Sequence, residues 1–231
     1  MESKKGIFIT FEGSDGVGKS TQVAFFAGLL ESLGFDVLLL REPGGTKIGE
    51  EIRDMLLDVK NKELTSESEL LLYLAARSQI INEVIRPALE EGKVVLCDRF
   101  SDSTLAYQGF GRGIDAGFIK HANEFVCGGL VPDKTILFYI PEEEQKKRLD
   151  RRKAKDRIEE AGKDFALRVA HGFLEIAQEE PKRVEAVCTN GLHSETARHV
   201  IKATSDLLGV DPESEKVATA LEALDAMHVK K

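Results

Sequence analysis

Residues Gly13-Ser14-Asp15-Gly16-Val17-Gly18-Lys19-Ser20 constrain this chain more than any other stretch, because they follow the pattern G-x-x-x-x-G-K-[ST]. Context gives the pattern its physical content. Before it runs Ile7-Phe8-Ile9-Thr10-Phe11, short, apolar and β-prone; after it, Thr21 to Leu30 reads as a helix. Strand, glycine loop and helix together are the arrangement of a phosphate-binding loop. The glycines let backbone N–H groups turn inward around phosphate oxygens, and the helix aims its positive N-terminal end at the same place. Gly13, Ser14, Asp15, Gly16, Val17, Gly18, Lys19, Ser20 and Thr21 are therefore the candidate ATP contacts. Lys19 is expected on the β and γ phosphates and the Ser20 hydroxyl on Mg²⁺.

The rest of the chain alternates in the same way. Strands are expected at 7–11, 36–40, 93–97, 135–140 and 183–188. Helices are expected at 19–33, 48–58, 66–91, 115–127, 142–153, 163–180 and 194–208. Runs this short and continuously apolar suit a parallel sheet covered on both faces, with ligands at the carboxyl ends of its strands. Gly34 and Gly92 stand where helices should end, and Pro87 should kink or end the long third helix. Residues 1–209 read as one domain with a flexible lid at about 146–162. The tail, 210–231, reads as a linker and a last helix with Val217, Leu221 and Leu224 on one face.

Composition excludes several classes. Apolar residues make up 42% and charged residues 31% of the 231, which is ordinary for a soluble globular protein. The net charge of −8 argues against general nucleic-acid or anionic-membrane binding through the overall field. Cys97, Cys127 and Cys188 are sparse and form no C-x-x-C, so zinc is not expected and a reducing cytoplasm is. No run approaches the ~18 apolar residues of a membrane span, and no signal peptide is read at the N-terminus.

A phosphate-binding loop names no reaction by itself; the other sites must. Asp98 ends the apolar run Val94-Val95-Leu96-Cys97, where an acid either caps the next turn or holds Mg²⁺. Arg99 follows at once, and a fixed cation beside that acid suggests a second phosphate. Arg41-Glu42-Pro43-Gly44-Gly45-Thr46 is an irregular turn at the same sheet edge. It is either a connector or, through Glu42, a wall for an acceptor, with Arg53 on the following helix within reach. Tyr73 and Arg77 share a helix face. They are either a core-margin tyrosine and a solvated arginine, or a ring stacked on a base and a guanidinium donating to its carbonyl. Ser103, Thr104, Tyr107 and Gln108 cluster after Asp98, as either a base-reading edge or a hydrogen-bonded turn. In 146–157, eight of twelve residues are basic. Such a run is a solvated helix face or a lid closing over transferring phosphates, its arginines acting as arginine fingers.

Taken in order, Phe11-Glu12-Gly13, Asp15-Gly16-x-Gly18-Lys19-Ser20-Thr21, Arg41-Glu42-Pro43-Gly44-Gly45-Thr46, Asp98-Arg99-Phe100, Tyr107-Gln108-Gly109 and Asp156-Arg157-Ile158-Glu159 resemble the bacterial thymidylate kinases, over about residues 6–208. The resemblance implies a P-loop NTPase fold with a five-stranded parallel sheet, of the nucleoside monophosphate kinase kind. It implies γ-phosphoryl transfer from MgATP to dTMP, giving dTDP and ADP for dTTP biosynthesis, in a cytoplasmic homodimer. It gives Asp15 the 3′-OH of dTMP and gives Arg53 and Arg99 its phosphate. Tyr73 and Arg77 take thymine, Ser103, Thr104 and Gln108 line the base site, and Tyr107 lies near the 2′ carbon. Gly16 replaces the P-loop arginine of one branch of the family, so the catalytic arginine is expected in the lid, from Arg151, Arg152 and Arg157. Segment 182–190 departs most from the family pattern. The rival readings are a kinase for another nucleoside or nucleotide, such as dUMP, and a nucleotide-gated switch. Against the switch, no Asn-Lys-x-Asp motif occurs.

Overall fold

The computed structural model describes residues 6–151 and 156–228, without the side chains of 148–151 and 227–228. In chain order the elements are β1 (Ile7–Glu12), α1 (Lys19–Ser32), β2 (Val37–Arg41), α2 (Lys47–Leu57), α3 (Ser66–Ile80), α4 (Arg86–Glu90), β3 (Val94–Asp98), α5 (Ser101–Thr104), α6 (Ala116–Cys127), β4 (Lys134–Tyr139), α7 (Glu142–Arg151), α8 (Lys163–Glu179), β5 (Val184–Cys188), α9 (His193–Leu208) and α10 (Glu215–His228). The five strands form one parallel sheet in the order β2-β3-β1-β4-β5. The chain leaves central β1 toward one side and later returns to the other, so β1 stands at the switch point where ligands of such sheets bind.

Every expected strand is present within a residue or so of its place. The period of two explains both covered faces. Ile9 and Phe11 of β1 point to one side, into a core with Phe26, Leu30, Val200 and Ile201 of α1 and α9. Phe8 points to the other, against Ile80, Ile81, Val95, Cys97 and Phe100. A further cluster, with Leu70, Leu74, Leu105, Phe165 and Phe173, lies under the carboxyl end of the sheet's second face.

Two stretches differ in local detail from the sequence reading. The helix expected over 66–91 is present and, of the two outcomes expected at Pro87, does not end there. Between α3 and α4 the backbone widens into a π-helical turn, Ile81–Ile85, and Pro87 falls in the first turn of α4, where a missing N–H is tolerated. Residues 101–111, read as a polar cluster, are helical: α5 passes directly into a π-helical stretch, Leu105–Gly111. In the tail, Val217, Leu221 and Leu224 are buried in the core with α1 and α9, so α10 covers an apolar strip of the body.

Candidate active site

β1 delivers the chain into the glycine loop. Gly13 has φ 134°, and a Cβ there would come within 2.3 Å of the Phe138 carbonyl oxygen, so only glycine lets β1 and β4 lie this close. Val17 is buried and anchors the loop in the core, while Thr189 Oγ1 donates to its carbonyl at 2.6 Å. Ser14 Oγ accepts from Gln145 Nε2 of α7 at 3.1 Å. No side chain caps α1 and no acid stands in its first turn, which leaves its N-terminal amides suited to an anion. Lys19 is buried and ion-paired with Asp98 at the end of β3. Burial, and after it the Arg99 charge, lowers the Lys19 ammonium below its ordinary range, with Asp98 opposing both.

Arg99, one residue beyond β3, is the one non-glycine with positive φ (72°) among the described residues. Its N–H donates to the Phe11 carbonyl at 2.9 Å. Its guanidinium donates to Asp15 Oδ1 at 2.9 Å and Ser103 Oγ at 3.2 Å, and lies 5.0 Å from the Tyr107 ring centroid. Tyr107, whose phenol burial keeps protonated, donates to Asp15 Oδ2 at 3.1 Å.

One cavity brings together Asp15, Glu42, Arg53, Tyr73, Arg77, Arg99, Ser103, Thr104, Tyr107 and Gln108, which are all the residues expected from the sequence on the acceptor side. Arg53 is half-buried and donates to the Pro43 carbonyl at 3.0 Å. Arg77 is not a solvated arginine, being 1% exposed. Its Nε donates to Glu42 Oε2 at 2.8 Å, Nη1 to Thr104 Oγ1 and Asn123 Oδ1 at 2.7 and 2.8 Å, and Nη2 to the Phe100 carbonyl at 2.9 Å and toward Glu42 at 2.7 Å. Those contacts occupy all of its donors. Burial raises the Glu42 carboxyl, and Arg77 opposes the shift.

Arg157 departs from its expected place over the transferring phosphates. It is 8% exposed, with Nε donating to the Leu56 carbonyl at 2.9 Å and Nη2 2.7 Å from Glu69 Oε2, so it pins the chain to the end of α2 and to α3. Arg152 lies outside the described residues, as does the side chain of Arg151. Glu69 carries no functional mark in the sequence, where it reads as a polar first-turn residue of α3. It is fully buried and also accepts from Gln108 Nε2 at 2.8 Å and Arg112 Nη2 at 3.0 Å. Glu12, seen only as part of a motif, is fully buried and accepts from Phe100 N–H at 2.7 Å. An acid closing an apolar strand was the available signal for Glu12. For Glu69 no local signal exists, because its partners lie 39 and more residues away.

Ser20 and Asp98 line one further cavity beside β2 and α1. An exposed hydroxyl and a carboxylate are hard oxygen donors, and two protein ligands suit Mg²⁺, which keeps waters and takes phosphate oxygens for the rest. Among the described residues no cluster of three or more His, Cys, Asp or Glu offers a rival metal site.

The family model described as thymidylate kinase matches residues 11–199. The chain is similar to a thymidylate kinase of Pelotomaculum thermopropionicum, 44% identical over 205 residues, covering 88% of this chain and 95% of that one. It is 51% identical over 177 residues to one of Desulforudis audaxviator, covering 76% and 80%. The crystal structure of thymidylate kinase from Ehrlichia chaffeensis aligns with a TM-score of 0.72 at 35% identity, over 85% of this chain and 97% of that one. With a phosphate loop on the central strand and a match that runs through nearly the whole sheet, this chain belongs to the thymidylate kinase family.

Proposed function

We propose that this chain transfers the γ-phosphoryl group of MgATP to dTMP, giving dTDP and ADP for dTTP biosynthesis. The observation that carries the reading is the shared position of Asp15: it belongs to the glycine loop and also accepts from Arg99 and Tyr107 in the acceptor cavity. Two phosphorylated ligands thus meet at one residue.

The protein has little covalent work to do; it aligns two anions and neutralises charge. Residues Gly13 to Thr21 cradle the ATP phosphates. Lys19 exchanges Asp98 for phosphate oxygens, which frees the Asp98 carboxylate, with Ser20, for Mg²⁺. Mg²⁺, when bound, neutralises part of the charge on the β and γ phosphates. Arg53 and Arg99 hold the dTMP phosphate, and Tyr73 stacks on thymine. Gln108 and Ser103 line the base site. Arg77 reaches a thymine carbonyl only by sharing a donor; it accepts no proton, and by bonding the Thr104 oxygen it leaves the Thr104 proton for the base. Asp15 accepts the 3′-OH, and the Tyr107 ring leaves no room for a ribose hydroxyl. Arg151 and Arg152 of the lid carry the arginine-finger role, while Arg157 anchors the lid's far end.

The chain pairs with a second copy of itself through α3 and α6. Leu71, Phe118 and Phe125 of these helices, with Val131 in the loop beyond α6, are exposed apolar residues, Phe125 to 86%. No described helix is long and apolar enough to cross a membrane, and the three cysteines are free thiols, which supports a cytoplasmic setting.

A coupled assay with dTMP, dUMP, dGMP and dAMP, with and without Mg²⁺, tests the reaction. Turnover is expected to be fastest on dTMP and lost without Mg²⁺. Equal rates on dAMP and dTMP would defeat the thymine reading.

A further inference from the structure

Glu12 is a buried acid at the carboxyl end of the central strand, one residue before the glycine loop. Its period-two position turns it, with Phe8 and Thr10, away from α1 and toward α5. Its Oε1 accepts from Phe100 N–H at 2.7 Å and Ser103 N–H at 3.3 Å, and its Oε2 accepts from Ser103 Oγ at 2.5 Å. These are the amides at the start of α5, which no side chain of its own segment caps. A helix start normally receives its cap from the residue just before it. Here the cap comes from a strand 88 positions earlier in the chain.

The consequence falls on Arg99. Its left-handed backbone is strained for a residue with a side chain and persists only where the surroundings over-determine it. It is gripped on both sides: β1 takes the Arg99 N–H through the Phe11 carbonyl, and Glu12 takes the next N–H along. Ser103, fixed by Glu12, in turn accepts from the Arg99 guanidinium.

We propose that Glu12 is a positioning residue for the acceptor clamp: its carboxyl group caps α5 from the central strand and so, through Ser103, holds Arg99 against the P-loop's Asp15. Glu12 touches no ligand; it joins the strand that leads into one phosphate site to the helix start that directly follows Arg99 of the other. This inference rests on dTMP being the occupant of that cavity.

Two variants test it. Glu12→Leu keeps the bulk and removes both acceptor oxygens, leaving the buried Phe100 N–H unpaired, while the Ser103 N–H keeps its bond to the Phe100 carbonyl. Glu12→Gln keeps the oxygen that caps. The expected result is a rise of about tenfold in KM for dTMP in Glu12→Leu, the scale of a buried donor left unsatisfied. KM for ATP should move far less, and Glu12→Gln should stay close to wild type. A parallel rise in both KM values, or unchanged KM for dTMP, would overturn the proposal. So would a Glu12→Gln variant as impaired as Glu12→Leu. Should Glu12→Leu not fold, hydrogen exchange on the unaltered chain decides: the Phe100 amide, whose acceptor is Glu12, must be protected like those of β3, and rapid exchange there refutes the cap. Failure of wild type to phosphorylate dTMP would instead sink the substrate assignment.

Discussion

Asp15 is a P-loop residue by sequence and a wall of the acceptor cavity by structure, because Arg99 and Tyr107 both donate to it. Its neighbour in function, Glu12, has an unusual titration. Burial first, then the nearby Asp102 charge, pushes its carboxyl from the usual 4.5 up to about 8, against the hydrogen bonds that favour the anion. Between those values the folded chain keeps a proton that the unfolded chain has released. Folding stability from this group is therefore greatest in acid and declines as pH rises through that window, until the carboxyl is ionised in both states. Urea denaturation at about pH 5 and about pH 8 should show this decline in wild type and a flatter profile in Glu12→Gln, whose amide does not titrate. Identical pH slopes in the two proteins would contradict the buried, proton-retaining carboxyl.

At the scale of elements, how much is legible depends on how local the cause is. The five strands are readable because a doubly covered parallel strand is a short apolar run, and Val94-Val95-Leu96-Cys97 carries that signal by itself. The α1 start is readable because Gly18-Lys19-Ser20 prescribes it. Helical 101–111 is hidden because Ser101, Asp102, Ser103 and Thr104 favour caps and turns over helix interiors, and what holds them helical is distant: Glu12 on the amides, and Arg183 on Asp102 at 2.8 Å. The same split runs through the site. Tyr73 and Arg77 are visible as an i, i+4 pair, yet the burial of Arg77 depends on Glu42, Thr104 and Asn123, which no spacing rule connects. Arg157 stands in a dense basic run, which suggests a lid over phosphates; its actual partner, Glu69, is set by how α3 packs. Motif residues are legible, and the buried partners that orient them are not.

On the scale of the whole molecule, the order β2-β3-β1-β4-β5 puts the donor loop at the sheet's centre and the acceptor cavity beside it, over β3 and α3. Opposite, α10 closes the core with Val217, Leu221 and Leu224, whereas α3 and α6 leave Leu71 and Phe125 uncovered. Association through that face predicts a dimer in sedimentation and a monomer for Phe125→Glu, since a charge buried without a partner is strongly unfavourable. A wild-type monomer at assay concentration would contradict it. Recognition of dTMP is decided in the acceptor cavity, and a crystal structure with dTMP and ADP would display it. Thymine is expected against Tyr73, the 5′-phosphate between Arg53 and Arg99, and the 3′-OH at Asp15. Thymidine monophosphate found elsewhere on the surface, with that cavity unchanged, would contradict it.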